Sequence, residues 1–163
     1  MPRKTVRTTL MMFWIVVDFV IFLMINKRYL IFPTQKKLLI CDDDTDILEV
    51  LAMVFQPYFD VIAEPDSAMV MDLVRTHQPS LIMVDLWMPV LSGDQLIRLL
   101  RLGAPGKNAR IIAISASPTG QKISLDAGAD LFIPKPFDIH SLIAEVCALS
   151  EWNALDKKEI SGR

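Results

Sequence analysis

Cysteine and histidine are both scarce in this chain, two of each in 163 residues. Cys41 and Cys147 lie far apart in apolar surroundings, with no CxxC pair and no Cys/His cluster. That excludes a disulfide framework or a zinc knuckle and leaves two reduced thiols in the core. His77 and His140 read as surface residues. Positive charge is also in short supply beyond residue 37. Residues 38–163 hold ten Lys/Arg against eighteen Asp/Glu, a net −8, whereas residues 1–37 hold seven against the single Asp18, a net +6. An acidic domain is a poor candidate for binding nucleic acid by neutralising phosphates, and that class of partner is set aside. A secretory cleavage site is missing too: Asn26-Lys27-Arg28-Tyr29, with no small-x-small pattern, follows the apolar N-terminal run.

What the chain does have is apolar residue, 52% of the total against 22% charged, enough for one packed domain and an appendage. The appendage is residues 1–36. Leu10 to Ile25 is apolar except for Asp18 and is flanked by Arg3, Lys4 and Arg7 on one side and by Lys27 and Arg28 on the other. As a helix it would span ~24 Å, a little short of the ~30 Å hydrocarbon core, and Asp18 would cost roughly 3 kcal/mol near its middle. Three readings stay open: a marginal membrane anchor, a dispensable extension with the true start near Met24, or a segment packed on the domain or on a second copy. The Lys/Arg count on the two sides barely discriminates an orientation. Residues 26–36 form a basic linker in which Pro33 interrupts any continuous helix.

Residues 37–152 read as the domain and 153–163 as a polar tail. Strand and helix signals alternate five times. The strands are Leu38–Cys41, Phe59–Ala63, Leu81–Val84, Arg110–Ser115 and Leu131–Ile133. Helical spacing follows each: 45–56 with Asp46 and Glu49 in the first turn; Asp66 capping a helix to Thr76 with Ala68, Val70, Met71 and Val74 inward; 93–102 opened by a Ser92–Gln95 capping box; a helix with Ser117 as cap and Pro118 at its first position, ending at Gly128; and a last helix capped by Asp138 with a Phe137–Leu142 staple. Met11, Met12, Met53, Met69, Met71 and Met83 read as apolar filler, and Trp152 as packing. This alternation predicts an α/β fold, a doubly wound parallel sheet with helices on both faces. All strand carboxyl ends then share one edge, where open sheets of this kind bind ligands.

That edge collects Asp42 and Asp43 from the first strand, Asp85 from the third, Ser115 from the fourth and Lys135 just past the fifth, with little from the second. The stretch Leu81-Ile82-Met83-Val84-Asp85-Leu86-Trp87-Met88-Pro89, closed by Gly93, is the centre of it. At about 4 Å and an effective dielectric near 20, each carboxylate pair costs about 4 kcal/mol, so a proton or cation must relieve them. The donors are hard oxygens with no imidazole near, which favours Mg²⁺. Metal, ammonium and hydroxyl around one carboxylate suit phosphoryl transfer with a carboxylate acceptor. Trp87 is placed to shield or gate the site.

In these pieces the chain resembles the receiver domain of two-component response regulators: Leu38-Leu39-Ile40-Cys41-Asp42-Asp43-Asp44, Val84-Asp85-Leu86-Trp87-Met88-Pro89 with Gly93, Ala113-Ile114-Ser115-Ala116, Ala127-Gly128-Ala129-Asp130 and Lys135-Pro136-Phe137. The resemblance covers about residues 37–150. It implies a flavodoxin-like five-stranded sheet in the order 2-1-3-4-5. Asp85 would be the phospho-acceptor, charged by a histidine kinase or a histidine phosphotransfer protein. Mg²⁺ would be held by Asp42, Asp43, Asp85 and the backbone carbonyl of Trp87. Ser115 and Lys135 would contact phosphoryl oxygens, Phe132 would be the aromatic switch, and Lys135-Pro136 would be cis. The output would be a downstream protein contact through the face of the fourth helix, fifth strand and last helix, in the cytoplasm or at the cytoplasmic face of the inner membrane. No catalytic turnover beyond self-phosphorylation and autodephosphorylation is expected. Ser115 stands where threonine is commoner, and Phe132, without a phenolic hydroxyl, would have to switch by packing. The last eleven residues have no room for an output module, which predicts a stand-alone receiver. Two rivals are an adaptor with the receiver fold that is never phosphorylated, and an aspartate-nucleophile phosphohydrolase. Against the latter, a D-x-D-x-T pattern from Asp42 would need Thr at 46, where Asp46 stands, and no cap domain fits.

Overall fold

The computed structural model describes residues 35–103 and 106–151. The apolar segment 10–25, Trp152 and the tail lie outside the described residues, and with them the three readings of the N-terminus. The chain divides into two units between Thr34 and Gln35. Among the described residues no helix is long and apolar enough to cross a membrane.

The elements run β1 (Lys37–Cys41), α1 (Thr45–Phe55), β2 (Asp60–Glu64), a 3₁₀ turn (Ser67–Met69) leading into α2 (Val70–His77), β3 (Leu81–Asp85), α3 (Gly93–Leu102), a 3₁₀ turn (Gly106–Asn108), β4 (Arg110–Ser115), α4 (Gly120–Ala127), β5 (Leu131–Pro134) and α5 (Ile139–Glu151). The strands pair in parallel in the order β2-β1-β3-β4-β5. This is the flavodoxin-like fold expected from the sequence.

The near-continuous apolar runs of β1, β3 and β4 follow from burial on both faces. Side chains alternate between two cores. Leu39, Cys41, Ile82, Val84, Ile111 and Ala113 pack with Val70 and Val74 of α2, Leu96, Ile97 and Leu100 of α3, and Ala127 of α4. Leu38, Ile40, Leu81, Met83, Ile112, Ile114 and Ile133 pack with Leu48, Leu51 and Phe55 of α1 and with Leu142, Val146 and Leu149 of α5. The outer strand β2 is only partly buried.

Several helix starts differ from the sequence reading. α1 is capped by Asp44, whose Oδ1 accepts from the N–H groups of Asp46 (3.1 Å) and Ile47 (3.2 Å); Glu49 falls beyond the first turn. Asp66 caps as expected, accepting from the Ala68 N–H at 2.9 Å. The turn it caps is 3₁₀, however, and that tighter period buries Ser67 and exposes Ala68. Ser92 sits at the N-cap of α3 but forms no capping box: its hydroxyl is turned toward Asp94, donating to Oδ1 at 2.7 Å, and accepts from none of the helix amides. The Ser117 cap with Pro118 at the first helical position is also overturned. Ser117 closes a turn instead, its carbonyl accepting from Gly120 N at 3.0 Å and its Oγ paired with Thr119 Oγ1 at 3.0 Å, and α4 begins only at Gly120. Gly128 ends α4 in the left-handed region at φ 108°, as predicted. Asp138 accepts from Ser141 N at 2.9 Å at the start of α5, and Phe137 and Leu142 share one core. Met53 and Met69 are surface residues rather than filler.

Candidate functional site

Strand register assembles the site. Cys41 pairs with Val84, so Asp42, one residue beyond the end of β1, stands beside Asp85 at the end of β3. Asp85 pairs with Ile114, which puts Ser115 one step further on the other side. Ser115 pairs with Pro134, so Lys135 emerges next in line. Its backbone N–H donates to the Ser115 carbonyl at 2.9 Å, and the Lys135-Pro136 peptide is cis. From there Lys135 Nζ donates to Asp42 Oδ2 at 2.8 Å and to Asp85 Oδ1 at 2.7 Å. Asp42, Asp85 and Ser115 are all buried.

Each remaining carboxylate oxygen also has a donor. Asp42 Oδ1 accepts from Asp44 N at 3.0 Å, and Asp85 Oδ2 accepts from Trp87 N at 2.6 Å. Ser115 Oγ accepts from Ser117 N at 3.1 Å, which leaves its O–H free to donate. Burial pushes the Asp42 carboxyl above the ordinary range, against the pull of Lys135 and of the Asp44 N–H. Burial also opposes the charge on Lys135, but its hydrogen bonds to Asp42 and Asp85 outweigh that and raise its value. The Cys41 thiol is pushed up to about 12 by burial and by the field of Glu64 and the aspartates; it is inert, as a core thiol should be. The second strand contributes more to this edge than the sequence suggested, because the register sets Glu64 opposite Cys41.

The proposed metal ligands Asp42, Asp43, Asp85 and Trp87 are not assembled as a carboxylate triad. Among the described residues no group of three or more His, Cys, Asp or Glu side chains is placed to hold a metal ion. The physical reason is that Asp42 and Asp85 turn inward onto the Lys135 ammonium while Asp43 is exposed. The repulsion that the sequence assigned to a metal is thus relieved by lysine. The donor chemistry still fits a hard divalent cation: one ammonium between two carboxylates leaves a net negative charge, and Asp43 and the Trp87 carbonyl add further hard oxygens.

Phe132 is half-buried, and its ring lies against the start of α4. A Cβ built on Gly120 would stand 2.9 Å from Phe132 Cε2 and 3.1 Å from Ser115 Cβ. No local pattern marks Gly120 as the seat of this ring. Trp87, read as a shield or gate, sits two residues beyond Asp85, and its backbone N–H donates to Asp85 Oδ2. It is 65% exposed, and it lines a groove of about 400 Å³ with Leu86, Ser92, Asp94, Arg98, Ile123 and Asp126.

Residues 38–147 match the family model "Response regulator receiver domain". The response regulator MprA of Mycobacterium sp. (strain KMS) is 33% identical over 117 residues, covering 69% of this chain and 50% of that protein; the chain thus spans about half the length of the curated relatives it matches. The receiver domain of Francisella response regulator 1452 superposes with a TM-score of 0.65 at 30% identity, over 71% of this chain and 97% of that one. The receiver domain of sensor histidine kinase PA1611 from Pseudomonas aeruginosa PAO1, solved with a magnesium ion in its active-site cleft, shares the fold at TM-score 0.67 and 21% identity, over 72% and 98% of the two chains. The strand order, the acidic edge and these likenesses agree, and the chain belongs to the response-regulator receiver family of two-component systems.

Proposed function

We propose that Asp85 accepts a phosphoryl group from a histidine kinase or a histidine phosphotransfer protein. The observation that carries this reading is the Lys135 ammonium held jointly by Asp85 at 2.7 Å and Asp42 at 2.8 Å. A cation already bonded to the acceptor oxygen can follow the charge as it moves onto phosphorus. A carboxylate oxygen of Asp85 attacks the phosphorus, the phosphorus–nitrogen bond of the donor histidine breaks, and the imidazole nitrogen leaves with the electron pair and takes a proton. Lys135 then pairs with a phosphoryl oxygen, and the Ser115 hydroxyl donates to another. Asp42, Asp43, Asp85 and the Trp87 carbonyl would hold Mg²⁺, which supplies neutralisation of the equatorial oxygens when bound.

The chain is a switch rather than a turnover enzyme; hydrolysis of its own acyl phosphate resets it. Movement of Ser115 toward the phosphoryl group frees Phe132 to repack against α4. That alters the α4–β5–α5 face on which a downstream protein docks. The protein acts in the cytoplasm, and a membrane anchor in residues 10–25 is the first of the three readings of that segment to test. Recovery of all full-length protein in the detergent-free fraction of lysed cells would remove the anchor.

The central test is incubation with a small-molecule phosphodonor and Mg²⁺, read by intact mass. Wild type gains one phosphoryl group, and Asp85→Asn gains none. An unmodified wild type, or equal modification of the variant, ends the proposal.

A further inference from the structure

The loop from β3 to α3 carries Trp87, whose carbonyl belongs to the proposed cation-binding set, and it turns in a costly way. Val90 has φ 70° and is 87% exposed. A β-branched side chain is sterically opposed in that left-handed region. The Leu91 N–H donates to the Pro89 carbonyl at 2.8 Å, so Val90 is the centre of a γ-turn of the rare, strained hand. Val90 itself gains no burial from the arrangement. The turn serves its neighbour Leu91, which packs against the core beneath.

The rest of the loop is tied down at several points. The Leu86 N–H donates to the Ile114 carbonyl at 3.1 Å, and the Gly93 N–H to the Leu86 carbonyl at 3.1 Å. The Cys41 thiol contacts Met88 Sδ at 3.4 Å. A Cβ on Gly93 would come within 2.2 Å of the Asp85 carbonyl oxygen, so the loop closes directly over the acceptor's backbone. At the strained turn itself the tie comes from another element. Ser67, in the 3₁₀ turn before α2, is 2% exposed, and its hydroxyl donates to the same Pro89 carbonyl at 3.2 Å. One carbonyl thus receives both the bond that closes the turn and a bond from a buried hydroxyl 22 residues away.

We infer that Ser67 is a positioning residue for the Asp85 site: by holding the Pro89–Leu91 turn in its strained form, its hydroxyl sets the direction of the Trp87 carbonyl for a divalent cation. This rests on the function proposed above. Mg²⁺ demands near-ideal octahedral geometry, so a carbonyl two residues upstream of a relaxing turn loses its aim at a small displacement. Glycine carries no penalty at positive φ, so Val90→Gly lets the turn persist without an external tie.

The test is calorimetric titration of full-length protein with MgCl₂ for wild type, S67A, V90G and S67A/V90G, with thermal melts of each. S67A should bind Mg²⁺ about fivefold more weakly, the factor for one net hydrogen bond. V90G should bind as wild type does, and the double variant should return to within about twofold of it, a non-additive result. A residue that merely supported the fold would lower the S67A melting temperature with Mg²⁺ affinity unchanged, and V90G would restore nothing; either result overturns the inference. An S67A chain that does not fold overturns it as well, since the tie would then serve the whole domain. A wild type that takes phosphate while S67A binds Mg²⁺ equally leaves the function standing and removes Ser67. A wild type that binds no Mg²⁺ and takes no phosphate removes both.

Discussion

The two ends of the sheet carry mirror-image ion networks. At the carboxyl edge one cation, Lys135, lies between two carboxylates, Asp42 and Asp85. At the opposite edge one carboxylate, Asp130, lies between two guanidiniums, Arg101 at 2.6 Å and Arg110 at 3.1 Å. Asp130 Oδ2 also accepts from the Ile111 N–H at 2.9 Å. Arg101 further donates to the carbonyls of Gly128 (2.7 Å), Ala109 (2.8 Å) and Lys107 (3.2 Å). The arginine network thereby stitches the end of α3, the turn before β4, the cap of α4 and the start of β5 into one unit. A rigid guanidinium fork suits that task, whereas a lysine on a flexible stem can leave one oxygen for another. The amino edge is tied by planar guanidiniums to several carbonyls and one carboxylate, whereas the carboxyl edge rests on a single ammonium shared by two carboxylates.

Asp130→Ala should break this comparison most severely. It strips the carboxylate from two largely buried guanidiniums and should cost about 3 kcal/mol in thermal or urea unfolding, while phosphorylation of Asp85 by a small donor stays at the wild-type rate. A loss of phosphorylation equal to the loss of stability would show that the two edges are one system. Lys135→Met should cost about 2 kcal/mol in Mg²⁺-free buffer, because it leaves two buried carboxylates facing each other. Added Mg²⁺ should restore that stability by binding the folded state, and it should do nothing for Asp130→Ala. Equal rescue of both variants would contradict the assignment of a cation site to the carboxyl edge alone.

The smallest effect concerns Asp138, whose carboxyl is held below its usual value chiefly by the Ser141 N–H and hydroxyl. A depressed folded-state value stabilises above the unfolded one and is lost as pH falls through the folded one. The melting-temperature advantage of wild type over Asp138→Ala should therefore be present at neutral pH and shrink below the ordinary value of 3.8. A gap that widens in acid would contradict the capping geometry.

Ser92 and Ser117 show where sequence reading stops. Both have the residue type of a helix cap, yet Ser92 prefers Asp94 and Ser117 closes a turn of its own. Hydroxyls next to competing local acceptors choose by geometry, which residue type does not encode. The Asp44 cap of α1 was hidden for a related reason. Three adjacent aspartates read alike, and only the path of the chain assigns Asp42 to the site, Asp43 to solvent and Asp44 to the helix.

The sequence by itself determined the alternation of strands and helices, the burial of both sheet faces and the placing of Asp42, Asp85, Ser115 and Lys135 on one edge. Those features follow from periodicity and apolar runs, which neighbouring residues carry. Tertiary structure alone decided that Lys135, 93 residues from Asp42, would neutralise the carboxylates, that Gly120 would seat Phe132, that Ser67 would hold the turn at Pro89, and that Arg101 would clasp Asp130. Each of these depends on register and on a close approach between distant segments, and no local pattern in the chain records either.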